Sequence, residues 1–159
     1  MKKNRFTEVK GILSIAAFVL VALYPLKALG QDYAIGADLS FLKSTEDRGF
    51  TFKENDIAKS GLQIFKDHGY NWIRLRLFNS PSSLPNNIDY TIALAKKSKE
   101  LGFRFLLDYH YSDTWADPGK QYLPKAWEGL SHKELVKAVF DYTTETIKAF
   151  KQAAVLPDM

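Results

Sequence analysis

FRFLLDYHYSDTWADPGKQYLPKAW, residues 103–127, joins a buried strand to a long loop that carries polar and aromatic side chains. Residues 103–111 are apolar enough to be covered on both faces, as parallel strands between helices are. Asp108 and His110 interrupt that run near its C-terminal end, and being two apart they share one face. The loop that follows holds Trp115, Asp117, Pro118, Gly119 and Trp127. Loops after strands are where α/β barrels place their chemistry.

The same strand-then-helix unit recurs on the N-terminal side. In NWIRLRLFN, residues 71–79, Ile73, Leu75 and Leu77 alternate with Arg74 and Arg76, so the two arginines share one face. A Pro-, Ser- and Asn-rich loop leads from there to a helix over 89–101, closed by Gly102. Earlier still, residues 33–40 read as a short strand with Asp38 and Ser40 on one face at its C-terminal end. A charged loop, 43–53, follows, then a helix over 54–68 with Ile57, Gly61, Leu62 and Phe65 on one side and Gly69 as its stop. Beyond the central loop, Ser131 and Glu134 form a capping box, and the helix they open keeps Leu135, Val139, Tyr142, Ile147 and Phe150 at helical spacing to near Val155.

Three strand-helix units about 35 residues apart argue for parallel strands with right-handed crossovers. The predicted fold class is α/β: the three N-terminal βα units of a (β/α)8 TIM barrel. Residues 156–159 read as a helix-to-strand connection, and the expectation is a chain truncated before strand four, since 159 residues are short for a barrel of about 250. The three strands each bring polar groups to the lumen face: Asp38 and Ser40, Arg74 and Arg76, Asp108 and His110. Buried ion pairs that hold a barrel together are one account of this set. A reaction centre is the stronger one, because burying so many charges costs several kcal/mol per ion and packed apolar side chains would often serve stability better. Trp115 and Trp127 suit either packing or stacking on a sugar ring, and Trp72 at the start of its strand reads as core. Only three histidines exist and two of them, His68 and His132, fall on helices, so no metal site and no cofactor is expected.

Residues 1–30 read as a cleavable secretory signal. Lys2, Lys3, Arg5 and Lys10 lead an apolar run over 12–24, and Ala28-Leu29-Gly30 supplies small residues before a cut at Gln31. The run falls short of the ~20 residues that span a bilayer, so no stable membrane anchor is expected. The mature domain is 31–159, secreted or periplasmic. The leader holds five of the 22 Lys+Arg and one of the 18 Asp+Glu, leaving 17 against 17. A neutral domain argues against nucleic acid and for an uncharged partner. The chain has no cysteine, which excludes disulfides, thiolate metal sites, a cysteine nucleophile and lipoprotein acylation.

LLDYHYSDTWADPGKQ at 106–121 with PKAW at 124–127, GADLS at 36–40 and IRLRLFNSP at 73–81, in that order, resemble the identifying segments of glycoside hydrolase family 53, the arabinogalactan endo-β-1,4-galactanases. The resemblance implies a retaining glycosidase on a (β/α)8 barrel that cleaves internal β-1,4-galactosyl linkages of pectic galactan and is monomeric when full length. It places the acid/base and nucleophile glutamates at the ends of strands four and seven, beyond Met159, so a piece without them should be inactive alone. It offers Arg74 or Arg76, with Arg74 favoured, as the group that orients the nucleophile. Asp38, Asp108, His110, Asp113, Trp115 and Trp127 carry over as lining of the substrate cleft. Some members bind calcium in later loops, none of which is present here. Another barrel hydrolase of the cellulase or mannanase type and a non-catalytic carbohydrate-binding remnant stay open as alternatives.

Overall fold

The structure is a computed structural model, and it describes residues 33–159. The secretory-signal reading of 1–30 lies outside the described residues. Three parallel strands, β1 (Gly36–Asp38), β4 (Trp72–Phe78) and β5 (Arg104–His110), form one sheet in the order β1-β4-β5. Between β1 and β4 lie α1 (Leu42–Asp47), an antiparallel hairpin of β2 (Phe52–Glu54) and β3 (Ile57–Lys59), and α2 (Gly61–Asp67). Helix α3 (Ile88–Glu100) connects β4 to β5, and α4 (His132–Gln152) follows the long loop and a 3-10 turn at Lys125–Trp127. Both parallel pairs run in matched register, Asp38 beside Arg74, then Arg76 beside Asp108 and Phe78 beside His110.

The alternation of β4 sorts its side chains as the sequence predicts. Ile73, Leu75 and Leu77 are buried with Phe105, Leu94, Ala95 and Phe150 between the sheet and its helices. Trp72, Arg74 and Arg76 face the other way. Trp72, read above as core, is therefore a half-buried residue on the lumen side, under the Arg104 guanidinium at 5.9 Å. Gly36 sits opposite it because a Cβ there would come within 3.1 Å of the Trp72 Cβ and carbonyl oxygen.

The segment between the first two sheet strands differs from its reading. Residues 43–53, read as a loop, contain most of α1 and begin the hairpin, and the helix read over 54–68 starts only at Gly61. Asn55 and Asp56, with φ of 49° and 64°, make a two-residue turn whose twist matches the flanking strands. The Ser60 hydroxyl accepts the Gln63 N–H and caps α2. Ile57, counted as part of a helical stripe, lies in β3.

Helix α4 carries the predicted capping box at Ser131 and Glu134 and ends in a two-bond motif, Ala154 N–H to Lys151 O and Val155 N–H to Phe150 O. The connection after it already touches the sheet. Asp158 N–H donates to Phe105 O and Leu107 N–H to Met159 O along the outer edge of β5. The Asp158 carboxylate also accepts the Phe105 N–H at 2.9 Å and Lys99 Nζ at 2.5 Å.

Candidate active site

Matched register puts five ionisable side chains side by side at the C-terminal ends of β1, β4 and β5. One Asp38 oxygen lies 3.4 Å from Arg74 Nη1 and 2.9 Å from Arg76 Nη2, while the other accepts the Ser40 hydroxyl at 2.6 Å. Asp108 accepts from Arg74 Nη2 and from His110 Nε2 at 2.9 Å, and its oxygen is 3.9 Å from Arg76 Nε. Since a carboxylate only accepts, the proton of the imidazole in this contact sits on Nε2. Two carboxylates thus balance two guanidinium groups. The Arg74 side chain is 43% exposed, whereas that of Arg76 is 16% exposed.

Behind this row stands a set of bracing contacts. The Ser40 hydroxyl accepts the Arg76 N–H at 2.9 Å, and the Ser40 carbonyl accepts Asn86 Nδ2 at 2.8 Å. Asn86, in the loop after β4, also accepts the Phe78 N–H through its backbone carbonyl. Sequence reasoning missed Asn86, because nothing distinguishes a buried bracing asparagine from its neighbours in an Asn- and Ser-rich loop. The Phe78 ring packs on the His110 imidazole at 4.7 Å, and the Tyr142 hydroxyl of α4 donates to Phe78 O at 2.9 Å. Burial pushes the Tyr142 phenol well above its ordinary pKa, so it stays protonated and remains a donor.

The loop after β5 splits the remaining predicted lining residues. Trp115 is 41% exposed, with the Arg76 guanidinium 4.4 Å from its ring centroid and the His110 ring at 6.3 Å. Trp127 is 7% exposed and packs edge-on against Tyr142 at 6.0 Å and beside Tyr111 at 6.1 Å. Trp127, read above as cleft lining, thus packs between two tyrosines and leaves little of its ring exposed. Asp113, also read as cleft lining, spends its carboxylate on the backbone, accepting Ser80 N–H at 2.8 Å and Lys125 N–H at 2.9 Å. It ties the loop after β4 to the loop after β5. Between the end of β5 and that loop lies an open cavity of about 380 Å³, bounded by His110, Tyr111, Pro118, Gln121 and Tyr122 among others. Among the described residues no group of three or more His, Asp or Glu is placed to hold a metal ion.

The chain is similar to known proteins in sequence and in fold. The sequence profile of glycosyl hydrolase family 53 matches residues 34–159. The chain belongs to glycosyl hydrolase family 53. It is similar to an arabinogalactan endo-beta-1,4-galactanase of Cellvibrio japonicus, 37% identical over 94% of this chain and 41% of that protein. It also resembles an uncharacterized protein of Niallia circulans, 44% identical over 81% of this chain and 36% of the relative. Among solved structures, the family 53 catalytic domain of Ignisphaera aggregans superposes with a TM-score of 0.76 at 38% identity, covering 85% of this chain and 40% of that one. The chain therefore spans about two fifths of the family proteins it matches, and its parallel sheet is the corresponding part of their TIM barrel.

Proposed function

We propose that residues 34–159 form the N-terminal part of a retaining endo-β-1,4-galactanase that cleaves internal linkages of (arabino)galactan. The observation that carries this reading is the Asp38-Arg74-Arg76-Asp108-His110 row on the lumen side of the sheet, within motifs that match a family of galactan hydrolases. Retention requires two carboxyl groups about 5 to 5.5 Å apart, one the acid/base and one the nucleophile. In this reading they are glutamates of strands four and seven, and residues 34–159 supply the groups that orient them and the sugar.

Arg74 is the better placed arginine. It is the more open of the two, and both neighbouring carboxylates hold it without enclosing it. Its remaining N–H donors can meet a third carboxylate, which a fixed planar guanidinium orients and keeps ionised. His110, held by Asp108 and Phe78, offers its other ring nitrogen to the same space. Trp115 supplies an exposed aromatic face for a pyranose. The network is balanced in charge, which suits a neutral polysaccharide. We further propose export, with removal of 1–30, so that N-terminal sequencing of the mature protein begins at Gln31. A product that retains the apolar run would contradict this.

The test joins residues 34–159 to the remaining barrel of the Cellvibrio japonicus galactanase and offers the chimera β-1,4-galactan, cellulose and mannan. The expected result is release of galactooligosaccharides with retained anomeric configuration. A folded chimera that cleaves cellulose or mannan in preference would overturn the reading.

A further inference from the structure

We propose that Arg76 is a positioning residue for Trp115, its guanidinium serving as the seat on which the exposed indole rests as a sugar-facing platform. The inference rests on the reading of Trp115 as a saccharide contact and assigns what holds it in place. Trp115 lies in a loop segment without regular structure and is 41% exposed, so apolar packing does not fix its ring. The base of the loop is pinned, through Asp113 to Ser80 and Lys125 and through the Ser112 hydroxyl to Thr114 N–H. These bonds hold the backbone and leave the indole to find its own support. The nearer of its two ring neighbours is Arg76, whose Cζ is 4.4 Å from the ring centroid, against 6.3 Å for the His110 ring.

Arg76 suits this task better than a direct role with the substrate. Nη2 is tied to Asp38 at 2.9 Å, and its own backbone N–H is held by Ser40. Nε is buried with no hydrogen-bond partner among the described residues, 3.9 Å from Asp108. Nη2 and Nε are thus turned into the network or into protein, and the guanidinium carbon lies over the indole ring. A planar guanidinium can lie along an aromatic face where a lysine ammonium makes only a point contact, so Arg76→Lys keeps the charge beside Asp38 and weakens the seat. A cation–π contact at a partly exposed site corresponds to roughly a two- to fivefold effect on an equilibrium constant.

The experiment uses the whole chain and three variants, Arg76→Lys, Trp115→Leu and the double variant. Acrylamide quenching of the fluorescence lost in Trp115→Leu reports the indole, and calorimetric titration with β-1,4-galactotetraose reports binding. Arg76→Lys should raise quenching of Trp115 and weaken tetraose binding roughly two- to fivefold, with no further weakening when Trp115 is already leucine. Unchanged quenching in a folded Arg76→Lys variant, or an equal loss of affinity in the Trp115→Leu background, would overturn the proposal. Raised quenching with no tetraose binding by any variant or by the parent would uphold the seat, and the galactan reading would then be decided by the chimera. A second readout leaves Arg76 untouched: its guanidinium NMR signals should be shifted upfield in the parent and return to ordinary positions in Trp115→Leu. Absence of that ring-current shift in the parent also overturns it.

Discussion

Arg74 and Arg76 stand two positions apart on β4, yet one is 43% exposed and the other 16%. That difference assigns them different work. In the chimera, Arg74→Ala should lower kcat by roughly a hundredfold or more with little change in KM, because a charge that orients the nucleophile acts mainly in the transition state. Steady-state kinetics on galactan would check it, and an unchanged kcat would exclude the role. The two loop tryptophans separate in the same way. Trp127→Ala should cost about 3 to 5 kcal/mol of stability, since it empties a sealed aromatic site. Trp115→Ala should cost under about 1 kcal/mol and raise KM on long galactan. Denaturant melts beside kinetics distinguish the two. Alternation along β4 and the two-residue spacing of Asp108 and His110 in β5 made the lumen-facing row legible from sequence, because a period of two fixes the face whatever the partners. Which tryptophan would be buried was not legible, since Trp127 is sealed by Tyr142, fifteen residues away on α4.

At the scale of elements, β4, β5, α3 and α4 were readable because their signals are local and agree with one another: alternation in β4, an apolar run in β5, the Ser131 capping box, Gly102 as a stop. The hairpin between β1 and α2 was not, because its apolar residues also fit a helical stripe and its turn is an Asn55-Asp56 pair without glycine. The end of α4 offers a direct check of this local physics. Ala154 occupies the left-handed region at φ 58°, at the position where glycine is usual, and its side chain is exposed. An alanine there costs about 1 to 2 kcal/mol, partly offset by the extra freedom of glycine in the unfolded chain. Ala154→Gly should therefore stabilise the fold by about 0.5 to 1 kcal/mol, read as a higher denaturation midpoint.

Asp158, just beyond that helix, titrates below the ordinary carboxylate range: partial burial works against its charge, but the bonds from Lys99 and Phe105 N–H outweigh it. Its contribution is present above the unfolded pKa and is lost as pH falls through the lower folded value. Asp158→Asn should thus flatten the acid side of the stability curve, and a curve identical to the parent's would show that the contact contributes nothing.

For the whole molecule, the described sheet has β1 and β5 as its outer strands, and the C-terminal connection lies against the free edge of β5. Family barrels, of which this chain spans about two fifths, close such a sheet so that no edge remains. In the function we propose, the strands opposite then cover the charged lumen side and the row at Arg74 faces the catalytic pair. The fold class was legible because three equal strand-helix units admit few topologies. The chemistry was legible only as a supporting cast, because Arg74, Asp108 and His110 orient groups that other strands supply in our reading. The decisive measurement is the rate of β-1,4-galactan hydrolysis by the chimera of residues 34–159 with the Cellvibrio japonicus barrel, relative to the parent galactanase. A rate within roughly tenfold of the parent, or about 1.4 kcal/mol in barrier, is predicted. A chimera that melts cooperatively yet releases no sugar from galactan would contradict the account.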